Sequence, residues 1–319
     1  MERQKLQSGT AFRSAPNPLY FVQRLLVQKR LRKWVATSLA ACIRWRRGPL
    51  TDVDVNADID ADASGAAGRN ALINLSRFGY APLQALLDPR QVAAIHNYLK
   101  DKLLVDRDDA ANRFVIDAVP AGVAIADYLR SDILACPHVL ELANRPDLLQ
   151  LAAAYIGCKP TVSALLLRWS FPCDGPGAGL QAFHRDADDW RFVKIFVYLT
   201  DVDCGAGPHV YVRGSHHAQG KVRLKSFSDD AVARRFGPDM LTVVTGAAGF
   251  GFAADTYGVH KGMVPRERPR LMLQIQYSLL PVYAYEYAPQ PYEGSLALDP
   301  YINRLMLTVT RPAPSGLPA

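Results

Sequence analysis

Short runs of alternating apolar and polar residues, punctuated by Gly and Pro, dominate the chain over residues 160–277. A period of two places every second side chain on one face, so the spacing predicts β-strands over 162–171, 192–199, 209–212, 241–244, 249–253 and 270–279. Short strands separated by turn residues suit an antiparallel jelly-roll barrel open at one end. Upstream the period becomes helical. Val92, Ile95 and Leu99 mark a helix over 88–102, capped by Asp88 with Pro89 in its first turn. Leu140, Leu142, Leu148, Leu149 and Leu151 mark a second over 139–154, interrupted at Pro146. The chain is therefore expected to be mainly β with flanking helices, an α+β fold.

Near the start, Leu19, Tyr20, Phe21, Val22, Leu25, Leu26, Val27, Trp34, Val35 and Leu39 alternate with basic residues in a roughly helical pattern, as in a helix lying on anionic lipid. The uncharged stretch 34–43 is half the length of a spanning segment, which needs about 20 residues. No transmembrane span is expected, and residues 1–50 read as a basic amphipathic arm able to touch a membrane surface or serve in targeting. Residues 51–69 read as an acidic low-complexity linker. A calcium loop started at Asp52 would need Gly and Glu where Ala57 and Ala63 stand, so that reading fails. Residues 70–319 form the expected catalytic domain.

Charge sharpens this division. Residues 1–49 carry eleven Lys and Arg against Glu2 alone, so the rest of a chain of net charge +7 is at −3; the high isoelectric point therefore says nothing about nucleic-acid binding by the main domain, and no nucleic-acid partner is expected. The five cysteines are scattered, with no Cys-x-x-Cys pair, which suits reduced thiols and a cytoplasmic location.

The candidate chemistry begins at His184-x-Asp186. In extended backbone residues two apart point the same way, so both side chains can hold one ion. His260 supplies a third ligand, and two imidazoles with one carboxylate leave open positions on a non-haem Fe(II). A solvated His–Asp pair is the plain alternative for the motif alone. Arg270 opens a strand whose alternation sets it with Gln274 and Gln276, away from Leu271, Leu273 and Ile275, as a guanidinium reaching into a cavity requires. A surface ion pair is its plain alternative. A zinc or manganese hydrolase or isomerase on a cupin-like barrel, or a silent binding module, would also accommodate the three ligands. Residues 175–179, rich in Gly, read as a flap beside His184, and residues 221–239 as an insertion between strands. His96, His138, His209, His216 and His217 read as structural.

His184-Arg185-Asp186, then residues 195–201 (Ile-Phe-Val-Tyr-Leu-Thr-Asp), Gly205-Ala206-Gly207-Pro208 and Arg213-Gly214-Ser215-His216 together resemble the successive signatures of the phytanoyl-CoA dioxygenase-like family. Residues 78–83 and 87–92 resemble that family's opening strand and first helix; Arg213 stands where a proline is common. The resemblance implies a double-stranded β-helix, Fe(II) on His184, Asp186 and His260, 2-oxoglutarate held at its far carboxylate by Arg270, and use of O2 to hydroxylate an unactivated C–H with release of succinate and CO2. Gln181, Tyr198 and Lys194 are candidate further donors to 2-oxoglutarate, and Arg168 and Trp190 candidate residues of the pocket mouth. Asp186 matters because related halogenases carry a small residue there. The substrate is expected to be a small molecule or a lipid- or glycan-linked group.

Overall fold

Eight strands form the major sheet in the spatial order Tyr80–Ala85, Phe250–Ala254, Phe192–Tyr198, Arg270–Ser278, Thr161–Ser170, Ile125–Tyr128, Leu104–Asp106 and Arg113–Phe114, with every pairing antiparallel. This is a computed structural model, and it describes residues 6–7, 10–12, 17–26, 28–50, 63–174, 179–218 and 226–309. A minor sheet places His209–Val212 between Leu241–Val244 and His260–Gly262. The two sheets make the double-stranded β-helix. All six predicted strands are present, none displaced by more than one residue at an end.

Each central strand of the major sheet is buried on both faces, and the alternation sorts chemistry between them. Leu165, Leu167, Trp169, Val193, Ile195, Val197, Leu271, Leu273 and Ile275 face outward into one core shared with helical residues such as Ile95, Leu99, Leu148 and Ile156. Arg168, Ser170, Lys194, Arg270 and Gln274 lie on the opposite, inward face and line a cavity. The helix Pro89–Leu99 starts on the capping box between Asp88 and Gln91, and Pro146 divides the second helical region into Val139–Ala143 and Pro146–Ile156.

Two helices form in the basic arm: α1 (Pro18–Leu25) and α2 (Lys29–Arg47). Arg32, Ala36 and Ala40 of α2 are buried, while Lys29 donates to the His216 carbonyl and Arg191 to the Thr37 hydroxyl, so α2 packs onto the barrel. A third helix, α3 (Ala63–Phe78), begins inside the stretch expected to be a linker. Ala71 and Leu75 anchor it in the main core, and that burial outweighs the two helix-weakening glycines, Gly65 and Gly68. Residues 51–62 of the expected linker, 175–178 of the expected flap and 221–225 of the expected insertion lie outside the described residues. The rest of that insertion forms the helix Asp229–Phe236, and Phe227 and Phe236 pack on Phe183 and Val259, the neighbours in sequence of His184 and His260.

Candidate metal centre

His184 and His260 meet across the chain because their backbones pair: His184 N–H donates to the His260 carbonyl at 2.9 Å and His260 N–H returns the bond at 3.0 Å. Asp186 N–H is fixed on the Thr256 carbonyl at 2.9 Å. One ligand atom from each of His184, Asp186 and His260 lies within 4.8 Å of the others. The Nε2 atoms of both histidines stand 3.6 Å from the Asp186 carboxylate oxygens. Nδ1 of His184 is 2.8 Å from the Ala182 carbonyl and Nδ1 of His260 is 3.1 Å from the Gly258 carbonyl. A carbonyl only accepts, so each Nδ1 carries the proton and each Nε2 turns a lone pair into the gap. Three donors so arranged fit one divalent ion.

Electrostatics agrees with that reading. Burial, then the neighbouring His184, pushes the His260 imidazole down to about 3, so it is neutral as a ligand must be. Burial alone would raise the Asp186 carboxyl, but Lys194, His260 and His184 together hold it well below the usual carboxylate range. Lys194 is the main counter-charge, with Nζ 2.7 Å from Asp186 Oδ2 and 3.0 Å from Asp188 Oδ2. Its ammonium therefore grips the carboxylate ligand and its neighbour, where a contact with 2-oxoglutarate was expected.

Arg270 lines the same cavity and is 4% exposed. Its Nη2 donates to the Ser170 hydroxyl at 3.2 Å, and its Nη1 has no partner. A buried guanidinium with an unmet donor fits the far carboxylate of a diacid. Gly262 makes the space, since a Cβ there would stand 3.0 Å from Arg270 Nη2. Arg266 and Arg268, by contrast, are exposed and bonded to Cys173 and Asp203. Gln181, at the end of a single 3-10 turn, is buried in the cavity wall with Nε2 unpartnered.

The remaining expectations fall elsewhere. Tyr198 does not line the cavity: its hydroxyl donates to the Val244 carbonyl and accepts from His209 N–H, and its ring fills an aromatic cluster with Phe250 and Phe252. Arg168 does line it, but Asp127 neutralises its guanidinium through bonds of 2.6 and 2.8 Å. Trp190 faces a different groove, under Arg32. The residue missed is His209, read as structural and found in the cavity wall with its ring stacked on His260 at 5.4 Å and its Nε2 unpartnered. Burial, with His260 and Arg270, holds it well below the ordinary histidine range, hence neutral. The strand register brings it there, since His209 pairs with Gly262, two residues past His260. His216 and His217 both turn to the Ser76 carbonyl, outside the cavity.

Inside the double-stranded β-helix, two imidazoles and one carboxylate thus gather where they could hold a single ion, with the buried Arg270 in the same cavity. The family model for phytanoyl-CoA dioxygenase matches residues 75–245, and the chain belongs to that family. It is accordingly an Fe(II)- and 2-oxoglutarate-dependent enzyme that uses O2. The match ends before His260 and Arg270, which therefore rest on the geometry above. Among solved structures, the chain is similar to HygX from Streptomyces hygroscopicus with nickel and 2-oxoglutarate bound, at 16% identity over 71% of this chain and 92% of that one, TM-score 0.49. EctD from S. alaskensis, in its apoform, is similar at 18% identity over 82% and 93%, TM-score 0.48. The non-heme alpha ketoglutarate dependent epimerase SnoN from nogalamycin biosynthesis is similar at 21% identity over 66% and 83%, TM-score 0.47. No curated protein matches the chain.

Proposed function

We propose that the enzyme hydroxylates an unactivated C–H of a small molecule or of a lipid- or glycan-linked substrate, forming succinate and CO2 from 2-oxoglutarate. When bound, Fe(II) with 2-oxoglutarate and O2 supplies the oxidising equivalents. The chain's own residues do the positioning. Ala182 and Gly258 hold the two imidazoles in their ligating tautomer, and Lys194 occupies one oxygen of Asp186 and leaves the other as ligand. Arg270 orients the diacid by its far end.

The observation that carries this reading is the gathering of His184, Asp186, His260 and the unmet donor of Arg270 around one cavity. Retention of Asp186 as a carboxylate favours hydroxylation, because a halide would need its place. The test is incubation with Fe(II), ascorbate, 2-oxoglutarate and air, followed by comparison of metabolite extracts before and after exposure to the enzyme. Succinate and a product heavier by one oxygen atom are expected, both lost in Asp186→Ala. A substrate consumed with no added oxygen would replace hydroxylation by isomerisation or ring closure.

A further inference from the structure

Seven of the eleven large hydrophobic side chains exposed among the described residues belong to α1 and α2: Leu19, Phe21, Val22, Leu25, Leu31, Trp34 and Trp45. Trp34 is 67% exposed and Trp45 82%. On α2, Arg32, Ala36 and Ala40 point into the body of the protein. At 3.6 residues per turn the opposite side carries Trp34, Ser38, Ala41 and Trp45, with Leu31 and Cys42 beside them. Arg30, Lys33 and Arg44 border this stripe on one edge and Arg46 on the other, all exposed. The 19 residues of α2 contain no Asp or Glu.

The helix is therefore amphipathic twice over, with one face packed on the barrel and an apolar stripe edged by cations left in solvent. We propose that the outward faces of α1 and α2 dock the enzyme on an anionic lipid bilayer, with Trp34 and Trp45 in the headgroup layer and the bordering Arg and Lys on lipid phosphates. Charge selects this occupant. A second copy of the same surface would bring like charges together, whereas an anionic membrane meets the cations and gives the tryptophans an environment apolar at one end and wet at the other. The inner side of α1 reaches the wall of the metal cavity. Tyr20 of α1 packs on the cluster of Ala164, Val282, Ala284 and Tyr285, and Tyr285 lines that cavity.

Docking does not depend on the reaction proposed above, and its test reads binding alone. The full chain is mixed with vesicles of phosphatidylcholine containing phosphatidylserine, and with phosphatidylcholine vesicles, at low and high salt. Expected are co-sedimentation at least tenfold stronger with the anionic vesicles, weakened by salt, and a blue shift of tryptophan emission. Trp34→Ser/Trp45→Ser should lose the shift and at least tenfold in binding while melting at the wild-type temperature, since both side chains are exposed. Equal binding by this variant, or no binding to anionic vesicles at low salt, would overturn the proposal. So would a dimer in light scattering that the variant converts to monomer, or capture of polyglutamate in preference to vesicles.

Discussion

Arg270 has one guanidinium nitrogen bonded to Ser170 and another bare in the cavity, a state that a buried cation tolerates only if an anion arrives. Lysine would keep the charge and lose the planar fork. Arg270→Lys should weaken 2-oxoglutarate binding roughly 10- to 100-fold, the worth of one charge-assisted hydrogen bond. Anaerobic titration of the Fe(II) protein, following the weak visible charge-transfer band, reads this, with Fe(II) affinity unchanged. His209 gives a second prediction. Replacing a buried imidazole whose Nε2 has no partner by an apolar group removes a desolvation cost, so His209→Leu should melt no lower than wild type yet bind 2-oxoglutarate at least about 10-fold more weakly. A variant that binds normally would make His209 mere packing. The contrast between these residues shows what local pattern can carry. His184 and Asp186 share one short motif, and Arg270 declares its face through alternation with Leu271 and Leu273. His209 reaches the cavity through a cross-strand partner 53 positions away, Gly262, and no local spacing encodes that register.

At the scale of elements, period-two strands were legible because one face packs on helices and the other lines the cavity, so polarity alternates with the backbone. Ala63–Phe78 was not, since its first turns are rich in Ala and Gly and the core contacts, Ala71, Leu72 and Leu75, come late in the helix. Nor was the inner face of α2, because an arginine, Arg32, is what it buries, bonded to the carbonyls of Gln23 and Asp189. Asp189 ties these elements together: its carboxylate accepts from Trp190 N–H, Leu280 N–H and Gln23 Nε2. Burial pushes this carboxyl up to about 7 against the backbone donors and Arg32. An acid whose folded pKa is raised binds a proton in the native state that the unfolded chain, with its pKa near 4, has released. Its contribution to stability is thus full below about 4 and drains as pH rises to about 7. Melting temperatures across that window should show the loss in wild type relative to Asp189→Asn, with the two curves parallel above it. Parallel curves throughout would mean that Asp189 is already ionised at the acid end.

For the whole molecule, the question is whether residues 1–50 are an appendage or part of the enzyme. Composition suggests an appendage, because the charge changes sign at about that boundary. Packing suggests the reverse. Arg32 is 5% exposed and stacks between Trp190 and Tyr257, Ala36 and Ala40 enter the main core, and Gln23 and Arg32 both bond Asp189, three residues beyond the candidate ligand Asp186. Removing residues 1–50 strips these partners at once and leaves Asp189 and the apolar seats of Ala36 and Ala40 in water. The truncated protein should melt at least roughly 5 °C lower, as loss of a few buried contacts implies in a chain of this size, and bind Fe(II) more weakly as the 186–189 loop loosens. An appendage would change neither measurement. Trp34→Ser/Trp45→Ser separates the two roles of the same helix, because those side chains project outward and touch none of the partners of Asp189. Truncation should therefore lower melting temperature, metal affinity and vesicle binding together, and the double variant vesicle binding alone.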